Sequence, residues 1–366
     1  MINVGTALET KEKDQTTCSF LIDAEGTKMA TTFRSREEIP TPLMDAKKSA
    51  VTDFLTKETV APLAAFAARP SPNQNVVGIG IGHKFKNGKS TGIHSIRFYV
   101  ERKLPKQAIA KEFMLPPRIG KVPTDVIETG AFRAFAAAHP EQARHRPAHP
   151  GSSVGFQFTG AKAGYVMAGT FGALVQSNGK LCILSNNHVL ANVNQLPSGS
   201  PIFQPGLLDK NSPQNDKIAK LTKFVAITAG GSNKVDCAIA EVLKQNLVSA
   251  VIMANVGKLA SGQPVSAAEG MSVHKTGRTT GYTQGVIRDI SADVKITYDV
   301  GLVTFTEQVL IDGTGGPFSA AGDSGSLIVD RKTRQPVALL FAGSPSQTIA
   351  NHIDDVLQAL GVKIVA

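Results

Sequence analysis

At 366 residues the chain is longer than one ordinary domain, and two or three folding units are expected. Its hydrophobic content of 42%, with 34 glycines and 20 prolines, fits a turn-rich globular protein. No apolar run reaches the roughly 20 residues of a membrane helix, which argues against a membrane role. The net charge of +10 lies mostly in the first 150 residues, which hold 22 Lys/Arg and 15 Asp/Glu. Only the stretch at 97–103 mixes basic and aromatic residues, and a strand with one solvated face explains it, so nucleic acid is not an expected partner.

The N-terminus is charged throughout and has no apolar signal segment. Three cysteines, Cys18, Cys182 and Cys237, are too few for a disulfide framework. Both features predict a cytoplasmic protein.

The first 136 residues are predicted to form a small α+β domain. A stripe of apolar residues indicates a helix within 45–68, and alternation predicts strands at 76–82, 93–100 and 124–128. The alternating glycines of the first strand, Gly78, Gly80 and Gly82, do not open a helix as a phosphate loop would, and a close approach to another backbone explains them better.

Residues 137–153 are predicted to be a polar, Pro-rich linker that proteases can reach. His139, His145 and His149 lie in or beside it, but no cysteine or carboxylate pattern completes a metal site. We expect the domain before the linker to be regulatory, a removable pro-region or a partner-binding module, and these alternatives stay open.

After Gly169 the pattern changes to short strands between turns, which predicts a sandwich or a barrel. A terminal helix follows at 351–360, with Asn351 as a plausible N-cap. The predicted strands are Thr170–Gln176, Leu181–Ser185, Ile218–Ala226, Asp236–Val242, Gly285–Ile290, Gln308–Ile311, Leu327–Val329 and Val337–Phe341.

The stretch Gly322-Asp323-Ser324-Gly325-Ser326 precedes an apolar strand. Glycines on both sides of a serine let the backbone approach a substrate carbonyl and can direct successive amides at one point. A serine nucleophile needs a base and a group that orients the base. A plain Gly/Ser turn is the alternative, so partners must be found elsewhere in the chain.

Among the histidines of the β-rich part, His188 lies where a buried strand turns, whereas His274 and His352 fit a strand and the terminal helix. Asp236 enters an apolar strand, which is costly unless the carboxylate is paired. Asp209 and Asp216 lie in a polar loop and are weaker candidates. The candidate set is therefore His188, Asp236 and Ser324, in that order.

This order and the surrounding sequences, SNNHVLAN, VDCAIA and GDSGSL, resemble the chymotrypsin family of serine proteases. The sequence HKTGRTTGYTQG at 274–285 resembles the start of the second barrel in its bacterial branch. The resemblance covers roughly 151–366 and implies two antiparallel β-barrels, at 154–262 and 263–366, with a triad in the cleft between them.

The resemblance also implies an oxyanion hole from the amides of Gly322 and Ser324, and a substrate-pairing strand at Phe341, Ala342 and Gly343. Phe318 occupies the position where trypsin-type enzymes carry the acid of the specificity pocket, which makes a preference for Arg or Lys doubtful. The disulfides of the secreted branch cannot form here, because Gln284 stands where one of their cysteines is common.

The sequence therefore predicts a mainly β serine endopeptidase that acts on protein or peptide substrates. No metal or organic cofactor is implied, and no membrane partner is expected. The alternative is a protease-like scaffold that binds protein partners without cutting them.

Overall fold

The computed structural model describes residues 21–22, 28–29, 32–55, 75–87, 89–109, 111, 114–130, 132, 140–158, 160, 163–209 and 214–366. Residues Met1–Thr31 form one unit, in which β1 (Leu21–Ile22) pairs antiparallel with β2 (Lys28–Met29). Thr32–Ala366 form a second unit.

The second unit is mainly β, as predicted. Its helices are α1 (Thr41–Phe54), α2 (Asn187–Leu190) and α3 (Ile353–Leu360). The strands up to residue 203 are β3 (Val76–Lys86), β4 (Lys89–Val100), β5 (Arg118–Ile119), β6 (Val122–Glu128), β7 (Ser153–Phe156), β8 (Gly169–Thr170), β9 (Ala173–Ser177), β10 (Lys180–Ser185) and β11 (Pro201–Phe203). Those that follow are β12 (Lys217–Phe224), β13 (Ser232–Asn233), β14 (Ala238–Val242), β15 (Ser272–Gly277), β16 (Gly281–Tyr298), β17 (Gly301–Gly313), β18 (Leu327–Asp330), β19 (Pro336–Gly343), β20 (Gln347–His352) and β21 (Lys363–Ile364).

The first sheet has eight strands in the order β21-β9-β10-β14-β12-β11-β7-β8. Its inner face is a cluster of buried apolar residues that includes Val154, Phe171, Ile183 and Ile218. The chain end returns to this sheet, because β21 pairs with β9. Apart from β21, the strands all lie between residues 153 and 242, which matches the region expected for the first barrel to within one residue.

The second sheet contains a closed ring. Its order is β13-β17-β20-β19-β18-β15-β16-β3-β4-β6-β5, and an additional pairing joins β16 to β17. The six strands from β15 to β20 therefore form a closed antiparallel barrel, with every neighbouring pair antiparallel. Closure removes the sheet edges within the ring. This is the second barrel expected from the sequence.

The N-terminal part differs from the predicted separate domain of residues 1–136. Strand β3 pairs with the far end of β16, joining Ile79 to Asp293 and Gly78 to Val294, so β3–β6 extend the sheet of the second barrel. Residues of α1, β3 and β4 share one buried cluster with the barrel interior. The buried Lys47 of α1 also binds Asp293, at 2.9 Å. Lone strands and a short helix bury too little surface to stand alone, which is why they pack on the barrel.

The glycines of β3 make room for neighbouring side chains. A Cβ at Gly80 would overlap the carboxylate of Asp289, and one at Gly82 would overlap the guanidinium of Arg97. At Gly78 the nearest atoms include the Asp293 carbonyl, at 3.2 Å. The expectation of a close approach is confirmed, but two of the three glycines face side chains rather than backbone.

The segment predicted to be an exposed linker is held against the first sheet. The Arg144 Nε and the Arg146 Nη2 lie 2.6 and 3.3 Å from one Asp216 oxygen. The fully buried Ala148 donates its amide to Leu247 and accepts from Ser249. Sequence composition did not reveal these partners, because they lie about 70 to 100 positions further along the chain.

The helix predicted at 45–68 is observed as Thr41–Phe54, and residues 56–74 lie outside the described part. Helix α3 has His352 rather than Asn351 at its N-cap. Gly361 in the left-handed conformation ends it. In the described residues, no helix has the length and apolar character needed to span a bilayer.

Candidate active site

His188 and Asp236 form a close pair. His188 lies in α2, the single turn after β10, and Asp236 lies just before β14, which pairs with β10. The His188 Nδ1 is 2.5 Å from the Asp236 Oδ2. The Asp236 carboxylate is fully buried, while the His188 side chain keeps 14% exposure. A buried carboxylate on Nδ1 fixes the ring orientation and leaves Nε2 as the free basic atom.

Three further donors satisfy the Asp236 carboxylate. The amides of Asn187 and His188 donate to Oδ1, at 2.7 and 3.3 Å. The Tyr298 hydroxyl donates to Oδ2, at 2.7 Å. The Tyr298 ring also meets the His188 ring edge to face, with centroids 5.8 Å apart. Burial and then the Asp236 charge raise the pKa of Tyr298 well above its usual value, so this hydroxyl remains a donor.

Asn351 of the second barrel fixes the backbone of Asp236. The Asp236 amide donates to the Asn351 Oδ1 at 3.0 Å, and the Asn351 Nδ2 donates to the Gln308 Oε1 at 2.6 Å. Gln308 in turn donates to the Lys234 carbonyl, at 3.0 Å. The residue expected to cap the last helix therefore joins β20 to the segment that carries Asp236.

The weaker candidates are engaged elsewhere. The His274 Nδ1 lies 3.2 Å from the Tyr282 hydroxyl, and the His352 Nε2 lies 2.8 Å from the Ile290 carbonyl. Burial lowers the pKa of each of these histidines to about 4. Asp209 pairs with Arg278 and Asp216 pairs with Arg144 and Arg146.

Ser324 lies in the loop between β17 and β18, next to the helix that carries His188. The Ser324 carbonyl accepts from the Thr170 amide at 2.8 Å. Gly169 lies between α2 and the serine loop. A Cβ at this position would lie 2.7 Å from the Val189 Cγ1 and 3.0 Å from the Ser324 carbonyl. Glycine at 169 is therefore what lets α2 and the serine loop approach.

The Ser324 hydroxyl donates to the Phe341 carbonyl at 3.2 Å, and Ser324 is only 5% exposed. Among the hydrogen bonds of the described residues, none joins the Ser324 hydroxyl to the His188 ring. Hydrogen bonds of catalytic groups are often long or misdirected in free enzymes and tighten when substrate binds.

Gly322 and Ser324 provide two amides for a ligand. In the hydrogen bonds of the described residues, neither amide donates to a protein acceptor. Gly322 has φ +92°, and a Cβ there would lie 2.7 Å from the Arg278 Nη1. This backbone conformation requires glycine. Two unpaired amides two residues apart in such a turn suit an oxyanion.

The carboxylate of Asp323 holds the loop from inside. It accepts from the amides of Thr279 and Ala320 at 2.8 and 2.9 Å, and from the Thr280 hydroxyl at 2.6 Å. The Lys275 Nζ lies 3.1 Å away, and both side chains are fully buried. Burial lowers the pKa of Lys275, and the Asp323 charge opposes that shift.

Residues of the sequence GRTTG complete the loop's support. The Thr170 hydroxyl donates to the Gly322 carbonyl at 2.8 Å and accepts from the Arg278 amide at 3.0 Å. The Arg278 guanidinium forms a buried pair with Asp209, of which the Nε to Oδ2 distance is 2.8 Å. Both sheets therefore contribute to the position of the serine.

The residues expected to contact substrate are buried in this structure. Phe341, Ala342 and Gly343 lie at the end of β19, where β20 pairs with one side of the strand. Phe341 and Ala342 belong to an apolar cluster that also contains Phe132. Phe318 is 2% exposed, packs in the barrel core and lies under Lys275, whose Nζ is 6.0 Å from the ring centroid.

Cys182 and Cys237 are free, buried thiols. Burial raises the pKa of Cys182 to about 11 and that of Cys237 well above its usual value. Neither is therefore a nucleophile at neutral pH. Cys18 lies outside the described residues.

Sequence reasoning missed Tyr298, Asn351 as a support of Asp236, and Lys275. No motif marks Tyr298, which lies 62 residues after Asp236 at the far end of an unusually long strand. Lys275 lies in the polar strand Ser272–Gly277, whose sequence gives no sign of a buried partner.

A family model matches part of the chain and a curated relative matches more of it. Residues 234–352 match the family described as the Nal1 C-terminal domain. Protein NARROW LEAF 1 of Oryza sativa subsp. japonica is 24% identical over 306 residues, which is 74% of this chain and 52% of the relative. The chain thus spans about half the length of the curated relative it matches.

Bacterial serine proteases are among the similar solved structures. Thermobifida fusca Protease A is 17% identical to this chain. The match covers 60% of this chain and 98% of the protease, with a TM-score of 0.42. A glutamic acid-specific serine protease is also 17% identical, covers 59% of this chain and 99% of its own, and gives a TM-score of 0.41. Any assignment of chemistry therefore rests on the residues of the site itself.

Proposed function

We propose that the chain is a serine endopeptidase in which Ser324 is the nucleophile, His188 the base and Asp236 the residue that orients the base. The observation that carries the proposal is the 2.5 Å contact between the His188 Nδ1 and the fully buried Asp236 carboxylate. A partly exposed imidazole on a buried acid, beside a serine loop with two unpaired amides, is the arrangement that acyl transfer needs.

The reaction follows from these atoms. The Ser324 Oγ attacks the peptide carbonyl carbon while its proton passes to the His188 Nε2. The carbonyl oxygen becomes an oxyanion and accepts from the amides of Gly322 and Ser324. His188 then returns the proton to the leaving amine as the C–N bond breaks, which leaves an acyl ester on Ser324. Water, deprotonated by His188, hydrolyses that ester.

Asp236 acts without changing its own protonation. When His188 accepts the proton, its ring becomes a cation 2.5 Å from a buried anion, which stabilises the charged ring. The second barrel supports this pair through Tyr298 and Asn351.

A fluorophosphonate probe tests the proposal directly, because it labels only an activated serine. We expect labelling of the wild type and none of Ser324→Ala or His188→Ala. Ser346→Ala is the matched control, because its hydroxyl donates to the Thr129 carbonyl, away from the triad. An unlabelled wild type, or equal labelling of Ser324→Ala, would contradict the proposal.

The substrate is proposed to be a protein or peptide whose backbone pairs with Phe341–Gly343. Because Phe318 replaces an acid at the inferred specificity position, we propose a preference for uncharged side chains before the cut. Mass spectrometry of cut sites in a peptide library measures this preference. A profile dominated by Arg or Lys would exclude it.

A protein-binding scaffold without hydrolysis is the second candidate. The observation in its favour is the burial of Ser324, with its hydroxyl donated to the Phe341 carbonyl rather than to the base. Under this alternative the probe labels no variant, whereas partner binding survives Ser324→Ala.

A further inference from the structure

Two histidines and a glutamate that belong to no part of the proposed triad lie together in the structure. His83 of β3 and His94 of β4 are directly opposed in the hairpin, with ring centroids 4.5 Å apart. Glu269 comes from the segment that leads into β15. One ligand atom from each of the three residues lies within 4.8 Å of the others. The cluster therefore joins the N-terminal hairpin to the second barrel.

Both imidazoles carry a buried nitrogen without a partner. In the described part of the chain, the Nε2 atoms of His83 and His94 are buried and make no hydrogen bond. A buried polar atom left unsatisfied is costly, so two of them in one cluster indicate a missing ligand. Phe33 stacks on His94 with ring centroids 4.1 Å apart, which fixes the orientation of that ring.

Two arginines lie near the cluster, and each has partners outside it. Arg288 pairs with Asp312 at 2.9 Å, and the Arg97 Nη1 donates to the Arg288 carbonyl at 2.9 Å. The closest approach of Arg97 to Glu269 is 4.0 Å, and the Glu269 carboxylate also accepts a hydrogen bond from the His83 backbone.

We propose that His83, His94 and Glu269 bind one divalent transition-metal ion, with zinc as the best match. Two imidazoles and a carboxylate are ligands that zinc prefers, whereas calcium and magnesium prefer sets made only of oxygen. His83 and Glu269 also line a cavity of about 180 Å³. That cavity gives the ion a route of entry and a water molecule as the fourth ligand.

The ion would fasten the hairpin to the barrel. Direct pairing between β3 and β16 is confined to two residue pairs, Asp293 with Ile79 and Val294 with Gly78. A metal held by β3, β4 and the segment before β15 adds a further link between these parts. Because it binds only the folded arrangement, it raises the stability of the chain.

The test uses the full-length chain after removal of metals with EDTA. Zinc affinity is measured by competition with a chelating dye, and the melting temperature is followed with and without zinc. We expect one tightly bound zinc per chain and a higher melting temperature. Loss of an outer-sphere partner alone costs about 10–100-fold in affinity, so His94→Ala and Glu269→Gln should each weaken binding at least about 100-fold.

His145→Ala is the matched control, because its Nε2 is also buried without a partner but lies outside the cluster. It should bind zinc as the wild type does. Glu269→Gln is nearly isosteric, so its melting temperature in EDTA shows whether the fold is retained. A wild type without zinc-dependent stabilisation would overturn the proposal, and so would stabilisation that His94→Ala and Glu269→Gln keep in full.

Discussion

Two fully buried carboxylates in the site region, Asp236 and Asp323, differ in what neutralises them. Asp323 has a cationic partner, because the ammonium of Lys275 lies 3.1 Å away in equally complete burial. Asp236 has the Tyr298 hydroxyl and two amides as donors, together with the His188 ring. One carboxylate is therefore paired with an ammonium, and the other with the imidazole that we propose as the base.

This difference separates a structural role from a chemical one. A buried ion pair with complete hydrogen bonding fixes a loop, and removal of either partner leaves an uncompensated charge. A buried anion beside a neutral base instead favours the charged form of that base. Under the proposed function, Asp323 therefore determines the shape of the serine loop and Asp236 assists proton transfer.

The largest expected effect is on turnover in Asp236→Asn. The amide can no longer favour the imidazolium, and such a change in a triad lowers kcat by about 10⁴. The fold should persist, because an asparagine retains the size and an acceptor oxygen. Steady-state kinetics of wild type and variant give the ratio. Asp216→Asn serves as a control, since this carboxylate is also buried but pairs with Arg144 and Arg146.

The same comparison predicts that triad members act as a unit. The double variant Ser324→Ala/His188→Ala should be scarcely slower than either single variant. Turnover near the wild-type level in Asp236→Asn would show that another group is the third member of the triad.

The second largest effect concerns folding rather than turnover. Lys275→Met leaves the Asp323 charge buried without its cation, and breaking such a pair costs about 3–5 kcal/mol. Urea unfolding monitored by circular dichroism measures the loss. Lys180→Met is the matched control, because Lys180 and Glu241 form an exposed pair that contributes little. If Lys275→Met and Lys180→Met were equally stable, Asp323 would not depend on its cation, and the proposed difference between Asp323 and Asp236 would be wrong.

Sequence patterns predicted the parts of this arrangement that are local. The order His188, Asp236, Ser324 and most strands of the two barrels follow from residue types and alternation. Lys275, Tyr298 and Asn351 could not be assigned, because each contacts a residue 48 to 115 positions away. The attachment of the N-terminal strands to β16 was missed for the same reason. Strand pairing between distant segments depends on the packed whole, and apolar alternation carries no label for its partner.

Acidification should destabilise the strand that holds the Asp236 backbone before it affects the ion pair of Asp323. Strand β20 carries both Asn351, which holds the Asp236 amide, and the buried His352, whose pKa burial lowers to about 4. Arg36 faces this ring and lowers the pKa further, while the Ile290 carbonyl, Asp355 and Glu307 raise it. A histidine with a depressed pKa stabilises the fold fully above about pH 6.5, and this contribution is lost as pH falls towards 4.

The loss is roughly 3 kcal/mol over that interval, as an upper value for a single group. Unfolding free energies at a series of pH values should therefore decline from pH 6.5 to 4, and His352→Gln should reduce this decline by the share of one histidine, since His274 also has a pKa lowered to about 4. His149→Gln is the control, because its ring bonds to Val251 at the exposed surface. An identical slope in His352→Gln and wild type would assign the acid sensitivity to other groups.

The smallest effect tests whether the second barrel assists the proton transfer. Tyr298→Phe removes a hydroxyl that donates to the Asp236 Oδ2 at 2.7 Å and keeps the ring that packs against His188. Because a hydrogen bond to a charged group contributes about 1.5–3 kcal/mol, kcat should fall roughly 10- to 100-fold with little change in KM. Tyr282→Phe is the matched control, since its hydroxyl contacts His274 and Gln284, away from the triad. If Tyr298→Phe raised KM and left kcat unchanged, Tyr298 would belong to substrate binding. If it changed only stability, Asp236 would need no help from the second barrel beyond Asn351.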